Sequence, residues 1–123
     1  GVPPDVRMIP DMLRESGYRT GLVGKWHLGE TPEHHPLNRG FDEFFGFVAG
    51  GNGYLHEPGA GDEWMDNPVP GSRPGFQAMV LERGFDQLPA QPGYLTDILS
   101  REAVDFIERN HGQPFFLAVT HFA

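Results

Sequence analysis

Near the N-terminus, within residues 5–16, the apolar positions Ile9, Met12 and Leu13 fit the i, i+3, i+4 repeat of a helix face. Pro10 is tolerated only in a first turn, which sets the helix start near Met8 or Ile9, and Gly17 is the residue type that closes a helix in the left-handed conformation. The pattern then changes at once, and residues 19–26 read as an apolar strand. Side chains alternate across a strand, which predicts Lys25 and His27 on one side and Trp26 on the other. In a helix, positions 25 and 27 would stand about 200° apart and could not converge. The glycines at 21, 24 and 29 also oppose a helix there.

Residues 30–40 read as loop, and Phe41, Phe44, Phe45 and Phe47 form an aromatic cluster that must be buried. Glycine and proline dominate residues 50–75, a connection whose length implies function, mobility or insertion. Two short stretches, 76–81 and 85–88, are predicted to meet around Arg83 and Gly84 as a β-hairpin. A second helix is predicted over residues 95–109, with Leu95, Ile98, Leu99, Ala103, Phe106 and Ile107 as its apolar stripe. Ser100 is of the type that caps a new helix and would divide the segment there. Asn110, His111 and Gly112 stop the helix, and residues 114–120 form a near-continuous apolar run, as expected for a strand covered on both faces. Only two core strands are legible in this pattern, too few to bury the faces and edges of a sheet. The chain therefore reads as one part of a larger domain.

Composition narrows the function. The chain has 123 residues, enough for one small domain, and a formal charge of −8 from 9 basic and 17 acidic side chains. Binding nucleic-acid phosphates needs clustered cations, so no nucleic-acid partner is expected. An anion would have to be held locally, by a few placed cations. No apolar run is long enough to span a bilayer, so no membrane partner is expected, and residues 1–5 lack the basic start and apolar core of a leader. With zero cysteines, these residues supply no disulfide, no thiolate metal site and no cysteine nucleophile.

The candidate chemistry lies at the end of the first strand. Lys25 is a fixed cation beside the titratable imidazole of His27, a pairing suited to an anionic ester, and ligands of open α/β sheets bind outside the carboxyl ends of strands. Taken alone, a strand-end lysine is more often simply exposed, and a lone histidine more often a cap or a packed ring. His34, His35 and His56 invite a metal reading. Adjacent histidines in extended chain diverge, however, and the spacing fits no compact zinc motif, so no metal ligand is assigned. Asp42 and Glu43 diverge as strand neighbours and are expected on a solvated face or in a structural hydrogen bond.

Several motifs together carry a resemblance. Gly17-Tyr18-Arg19-Thr20 with Gly24-Lys25-Trp26-His27-Leu28-Gly29 resembles the second signature of the formylglycine-dependent sulfatases, in the alkaline phosphatase superfamily. Arg39-Gly40-Phe41-Asp42-Glu43-Phe44-Phe45-Gly46-Phe47, then Tyr94-Leu95-Thr96-Asp97 before a helix, then Pro114-Phe115-Phe116-Leu117 opening a strand, follow in the family's order. The match is weak over residues 50–75. The fold this implies is α/β and alkaline-phosphatase-like: residues 1–123 as one part of a catalytic domain, undivided, inside a large mixed central sheet with helices on both faces.

The resemblance implies hydrolysis of a small-molecule or glycan sulfate ester to an alcohol and inorganic sulfate, with calcium and formylglycine as cofactors. Members are often exported. The family's nucleophile arises from a Cys/Ser-x-Pro-x-Arg motif, and that motif and the calcium ligands have no counterpart in this sequence. The remainder of the catalytic domain would supply them, and the isolated 123 residues are expected to be inactive. A further catalytic histidine would fall just past Ala123, so His121 is not expected to be that residue.

By the same resemblance, Lys25 would hold a sulfate oxygen and stabilise charge that grows in the transition state. His27 would take a proton during elimination of the sulfate. Asn52 would face the substrate, the alternative being a turn residue between Gly51 and Gly53. Two other functions fit the same residues. One is a phosphate or phosphonate monoester hydrolase of the same superfamily, and the other a non-catalytic binding module that keeps the sheet.

Overall fold

The computed structural model describes residues 1–50, 55–56, 80–89 and 91–122. In chain order the elements are α1 (Ile9–Glu15), β1 (Arg19–Lys25), β2 (Glu43–Phe47), β3 (Leu55–His56), β4 (Glu82–Arg83), β5 (Asp86–Gln87), β6 (Gly93–Tyr94), α2 (Leu95–Asn110) and β7 (Phe115–Thr120). Short 3-10 turns occupy Pro32–His34 and Pro36–Asn38.

Helix α1 starts where Pro10 requires. The Met8 N–H donates to Asp11 Oδ2 at 3.0 Å and so closes the first turn. Gly17, at φ +87°, then reverses the chain into β1. β1 is the middle of three parallel strands: Leu22 lies opposite Phe44 of β2 and Ala118 of β7, and Lys25 lies opposite Phe47. The sheet order is β5-β4-β2-β1-β7, with the β4–β5 hairpin antiparallel on the β2 edge. A separate pair, β3 and β6, is antiparallel. The sheet is mixed, as expected.

Three expectations about the strands need correction. The aromatic cluster after the loop is itself a core strand, β2, which the unbroken apolar run and Gly46 had concealed. Close approach requires that glycine, because a Cβ on Gly46 would lie 1.9 Å from the Gly24 carbonyl oxygen across the β1–β2 pair. The hairpin is also shorter than the pattern suggested. Its strands are the two-residue β4 and β5, with Gly84 and Phe85 in the turn, Val80 and Leu81 outside any strand, and residues 76–79 outside the described residues. Finally, β7 is half-buried along Phe115–Ala118 and exposed at Val119 and Thr120, because among the described strands it pairs only with β1.

Two layers of core lie on opposite faces of the sheet, as strand alternation demands. Leu95, Ile98, Leu99 and Ala103 of α2 pack on Val23, Phe45 and Phe47. Leu22, Trp26, Phe41 and Phe44 pack together on the other face, where Met8, Leu37, Phe116 and Ala118 join them. Helix α2 continues through Ser100, whose hydroxyl donates to the Thr96 carbonyl within the helix at 2.7 Å and caps nothing. Ile107 is 42% exposed and leaves the predicted stripe, while Glu102 and Asn110 are buried on it. Fully burying a phenylalanine contributes about 1.5–3 kcal/mol against about 0–1 for an exposed ion pair. Phe47 and Phe106, each 1% exposed, therefore anchor α2 and the sheet more firmly than the surface charges do.

Candidate active site at the carboxyl edge of the sheet

Because β1, β2 and β7 run parallel, their carboxyl ends lie along one edge, and backbone bonds extend the order past the strands. The N–H of Trp26 donates to the Phe47 carbonyl at 3.0 Å and that of His27 to the Val48 carbonyl at 3.1 Å. From the other side, the Thr120 hydroxyl donates to the Lys25 carbonyl at 2.7 Å. Lys25 thus sits at a strand end braced by both neighbours.

Lys25 and Trp26 diverge as alternation predicts. Trp26 is buried against Phe41, ring centroids 5.9 Å apart and perpendicular, and its indole N–H donates to the His34 carbonyl at 2.8 Å. Lys25 is half-buried on the opposite face, its Nζ 5.0 Å from the centroid of the Phe122 ring. His27 departs from the strand argument. The strand ends at Lys25, and His27 has φ +59°, the one positive value at a non-glycine residue among the described residues. Alternation therefore does not place its ring. Its position rests on the bond to Val48 and on Gly50, where a Cβ would lie only 2.9 Å from His27 Nε2. A left-handed histidine costs on the order of 1 kcal/mol or more, and such residues concentrate at functional sites.

Among the described residues, no carboxylate lies within ion-pair distance of Lys25 or His27. Elsewhere the charges pair. Arg19 meets Glu43 at 3.1 Å, and Arg109 reaches Glu43 at 3.1 Å and Glu102 at 3.0 Å. Arg83 binds Glu102 through both terminal nitrogens. Burial penalises the Glu102 carboxylate, but the hydrogen bonds from Arg83 and Arg109 outweigh it and hold its pKa below the usual value. Glu43, Arg83, Glu102 and Arg109 border an open groove of about 420 Å³ between α2 and the β2 edge, which neither Lys25 nor His27 lines. The groove's charges are already matched to one another, so the chemistry is read at the carboxyl edge.

The other candidates take structural places. Asp42 Oδ2 accepts from the Thr20 N–H at 2.9 Å, the structural hydrogen bond expected of it, and Glu43 makes the ion pairs above. His35 is buried, its ring 4.4 Å from that of Phe85 and edge-on to Phe44 at 5.2 Å. Its Nδ1 accepts from the Leu37 N–H at 3.2 Å, and its Nε2 stands 3.4 Å from Glu82 Oε2. Burial pushes the His35 pKa down and that of Glu82 up. His34 pairs with Thr31 through Nδ1 at 2.7 Å. Asn52 lies outside the described residues. No group of three or more His, Asp or Glu side chains that could hold a metal ion occurs among the described residues. Sequence reasoning missed Gly50, Thr120 and Phe122 because each touches the site from another segment. The only available signals were a glycine run and the end of an apolar run.

Known proteins are similar to this chain in sequence and in fold. A family model described as Sulfatase matches residues 1–122. N-acetylgalactosamine-6-sulfatase of Mus musculus is 33% identical over 124 residues, covering 95% of this chain and 22% of that protein. An arylsulfatase of Hemicentrotus pulcherrimus is 33% identical over 125 residues, covering 97% of this chain and 22% of that protein. The crystal structure of Ps i-CgsB in complex with k-i-k-neocarrahexaose superimposes with a TM-score of 0.85 at 40% identity, over 100% of this chain and 28% of that one. The chain thus spans about a fifth of the length of these relatives. With its family model matched almost end to end, the chain belongs to the sulfatase family.

Proposed function

We propose that the complete protein hydrolyses a sulfate ester to an alcohol and inorganic sulfate, and that Lys25 and His27 are the active-site residues contributed by this chain. The observation that carries the reading is a lysine and a left-handed histidine at the carboxyl edge of three parallel strands, neither of them ion-paired to a carboxylate among the described residues. The Lys25 ammonium binds the anionic sulfate and offsets charge as the ester bond breaks, which a compact point charge does well. The His27 imidazole moves a proton beside it. Asn52, two residues past the glycine under His27, is assigned to substrate contact. The neocarrahexaose held by Ps i-CgsB and the name of the mouse relative support a carbohydrate sulfate ester as the substrate class.

The family implies calcium and formylglycine. The described residues do not fit a calcium site, and the chain contains no Cys/Ser-x-Pro-x-Arg motif, so this reading assigns both groups to other segments and derives no step through them. Residues 1–123 are read as one undivided part of the catalytic domain. Among the described residues no helix is long and apolar enough to cross a membrane, and the habit of the family supports an exported or lysosomal enzyme.

The test is turnover by the complete protein, matured with calcium and the formylglycine-generating machinery, on an aryl sulfate and the matching aryl phosphate. Sulfate is expected to be strongly preferred, and Lys25→Ala and His27→Ala each to lose roughly 10²–10⁴ in kcat. Preference for phosphate would move the protein to the sister monoester hydrolases. Turnover of neither ester would favour a binding module.

A further inference from the structure

A lysine that binds an anion faces a conflict. Its four-carbon stem is flexible and its ammonium strongly hydrated, so something must hold the charge in place. A carboxylate would hold it, but would also neutralise the charge that the anion needs. An aromatic face avoids the conflict, because its quadrupole attracts a cation without carrying net negative charge.

The end of β7 offers such a face. Thr120 fixes the Lys25 backbone through its 2.7 Å hydrogen bond, and two residues further on Phe122 brings its ring to Lys25 Nζ at 5.0 Å from the centroid. The ring is itself seated. It meets Phe47 edge-on, centroids 5.9 Å apart and planes at 88°, and Phe47 is 1% exposed and lies directly opposite Lys25 in the β1–β2 register. Ammonium, Phe122 ring and Phe47 ring therefore form a continuous column from the sheet edge into the core. Among the described residues no carboxylate competes for Nζ.

We infer that Phe122 is a positioning residue, which holds the Lys25 ammonium at the carboxyl edge of the sheet with its charge left available to the sulfate group of the substrate. The inference rests on the reading of Lys25 as the sulfate-binding cation. Phe122 acts through Lys25 and needs no contact with substrate. An aliphatic side chain in its place would keep the packing on Phe47 and lose the hold on the cation.

The test is a double-mutant cycle in the complete, matured enzyme, read as kcat/KM on an activated aryl sulfate. Phe122→Leu is expected to lower kcat/KM roughly three- to thirtyfold, the range spanned by cation–π contacts, and Phe122→Tyr to restore it. In a Lys25→Met background, assayed at high enzyme concentration, Phe122→Leu is expected to change kcat/KM less than about twofold, because the group it acts through is gone. An equal loss in both backgrounds would show that the ring only packs, and a silent Phe122→Leu beside a crippled Lys25→Met would show that Lys25 needs no such support. Either outcome overturns the role of Phe122 and leaves the Lys25 reading intact. A silent Lys25→Met would instead remove the reading on which the inference stands. Should Phe122→Leu not yield folded protein, Phe122→Met takes its place in the same cycle.

Discussion

The two ends of β1 use similar side chains in opposite ways. At the amino end Arg19 is paired with Glu43, and Thr20, 0% exposed, is bonded on both sides. The Thr20 N–H donates to Asp42 Oδ2, and its hydroxyl stands 2.8 Å from the Gly40 carbonyl and accepts from the Asp42 N–H at 3.0 Å. At the carboxyl end Lys25 and His27 are held instead by their backbones and by an aromatic ring, with no carboxylate at either side chain among the described residues. Polar groups answered by other polar groups stabilise the fold. Polar groups held in place but left unneutralised remain available to a ligand.

The contrast is broken most directly at Gly50. A methyl added there would sit 2.9 Å from His27 Nε2, and the ring would have to move. Misplacing a catalytic group by about 1 Å can cost a hundredfold. Gly50→Ala in the complete enzyme is therefore expected to lower kcat by up to about that factor with little change in Tm. Unchanged kcat would show that the Gly50 contact does not set the His27 position.

At the other end of the strand the expectation reverses. Thr20→Val removes a buried hydroxyl from the Gly40 carbonyl and the Asp42 N–H, which should cost about 1–3 kcal/mol of stability, read by denaturant titration. Turnover by the protein that remains folded should match the wild type. A fall in kcat without a fall in stability would erase the division between the two ends.

The smallest expected effect is a pH dependence at His35 and Glu82. Burial lowers the His35 pKa, so its contribution to stability is present above the unfolded value of about 6.5 and is lost as the pH falls below it. Protonation would also set a second donor against the Leu37 N–H that Nδ1 now accepts. Burial raises the Glu82 pKa, so its contribution has the opposite sign, present at low pH and lost as the pH rises through the folded value. Of the two, His35→Gln should leave the Glu82 slope, with stability falling as the pH rises above the ordinary carboxylate value of 4.5. Equal slopes for variant and wild type in urea titrations at several pH values would show that His35 is not protonation-linked to folding.

Much of this architecture is legible in residue order, for reasons that differ from element to element. Helix α1 was delimited by Pro10 and Gly17, whose backbone limits hold in any context. The stripe of α2 was correct at Leu95, Ile98, Leu99, Ala103 and Phe106, and failed at Ile107. That face is closed by Glu102, which two arginines from outside the stripe make tolerable to bury. β2 was legible as buried but not as a strand, since an apolar run covered on both faces has no period to read.

Local periodicity and backbone chemistry thus settled α1, β1, α2 and β7 and the two sides that Lys25 and Trp26 take, while the motifs around them carried the resemblance to the family. These are properties of neighbours three or four positions apart, set by the geometry of one helix turn or one pleat. Only the tertiary structure decided that His27 leaves the strand with a positive φ, that Gly50 lies under its ring, and that Thr120 and Phe122 hold Lys25. Thr120 and Lys25 are 95 positions apart. Contacts at that separation depend on which sheet edges and core faces meet once the chain has packed, and no local pattern records the meeting.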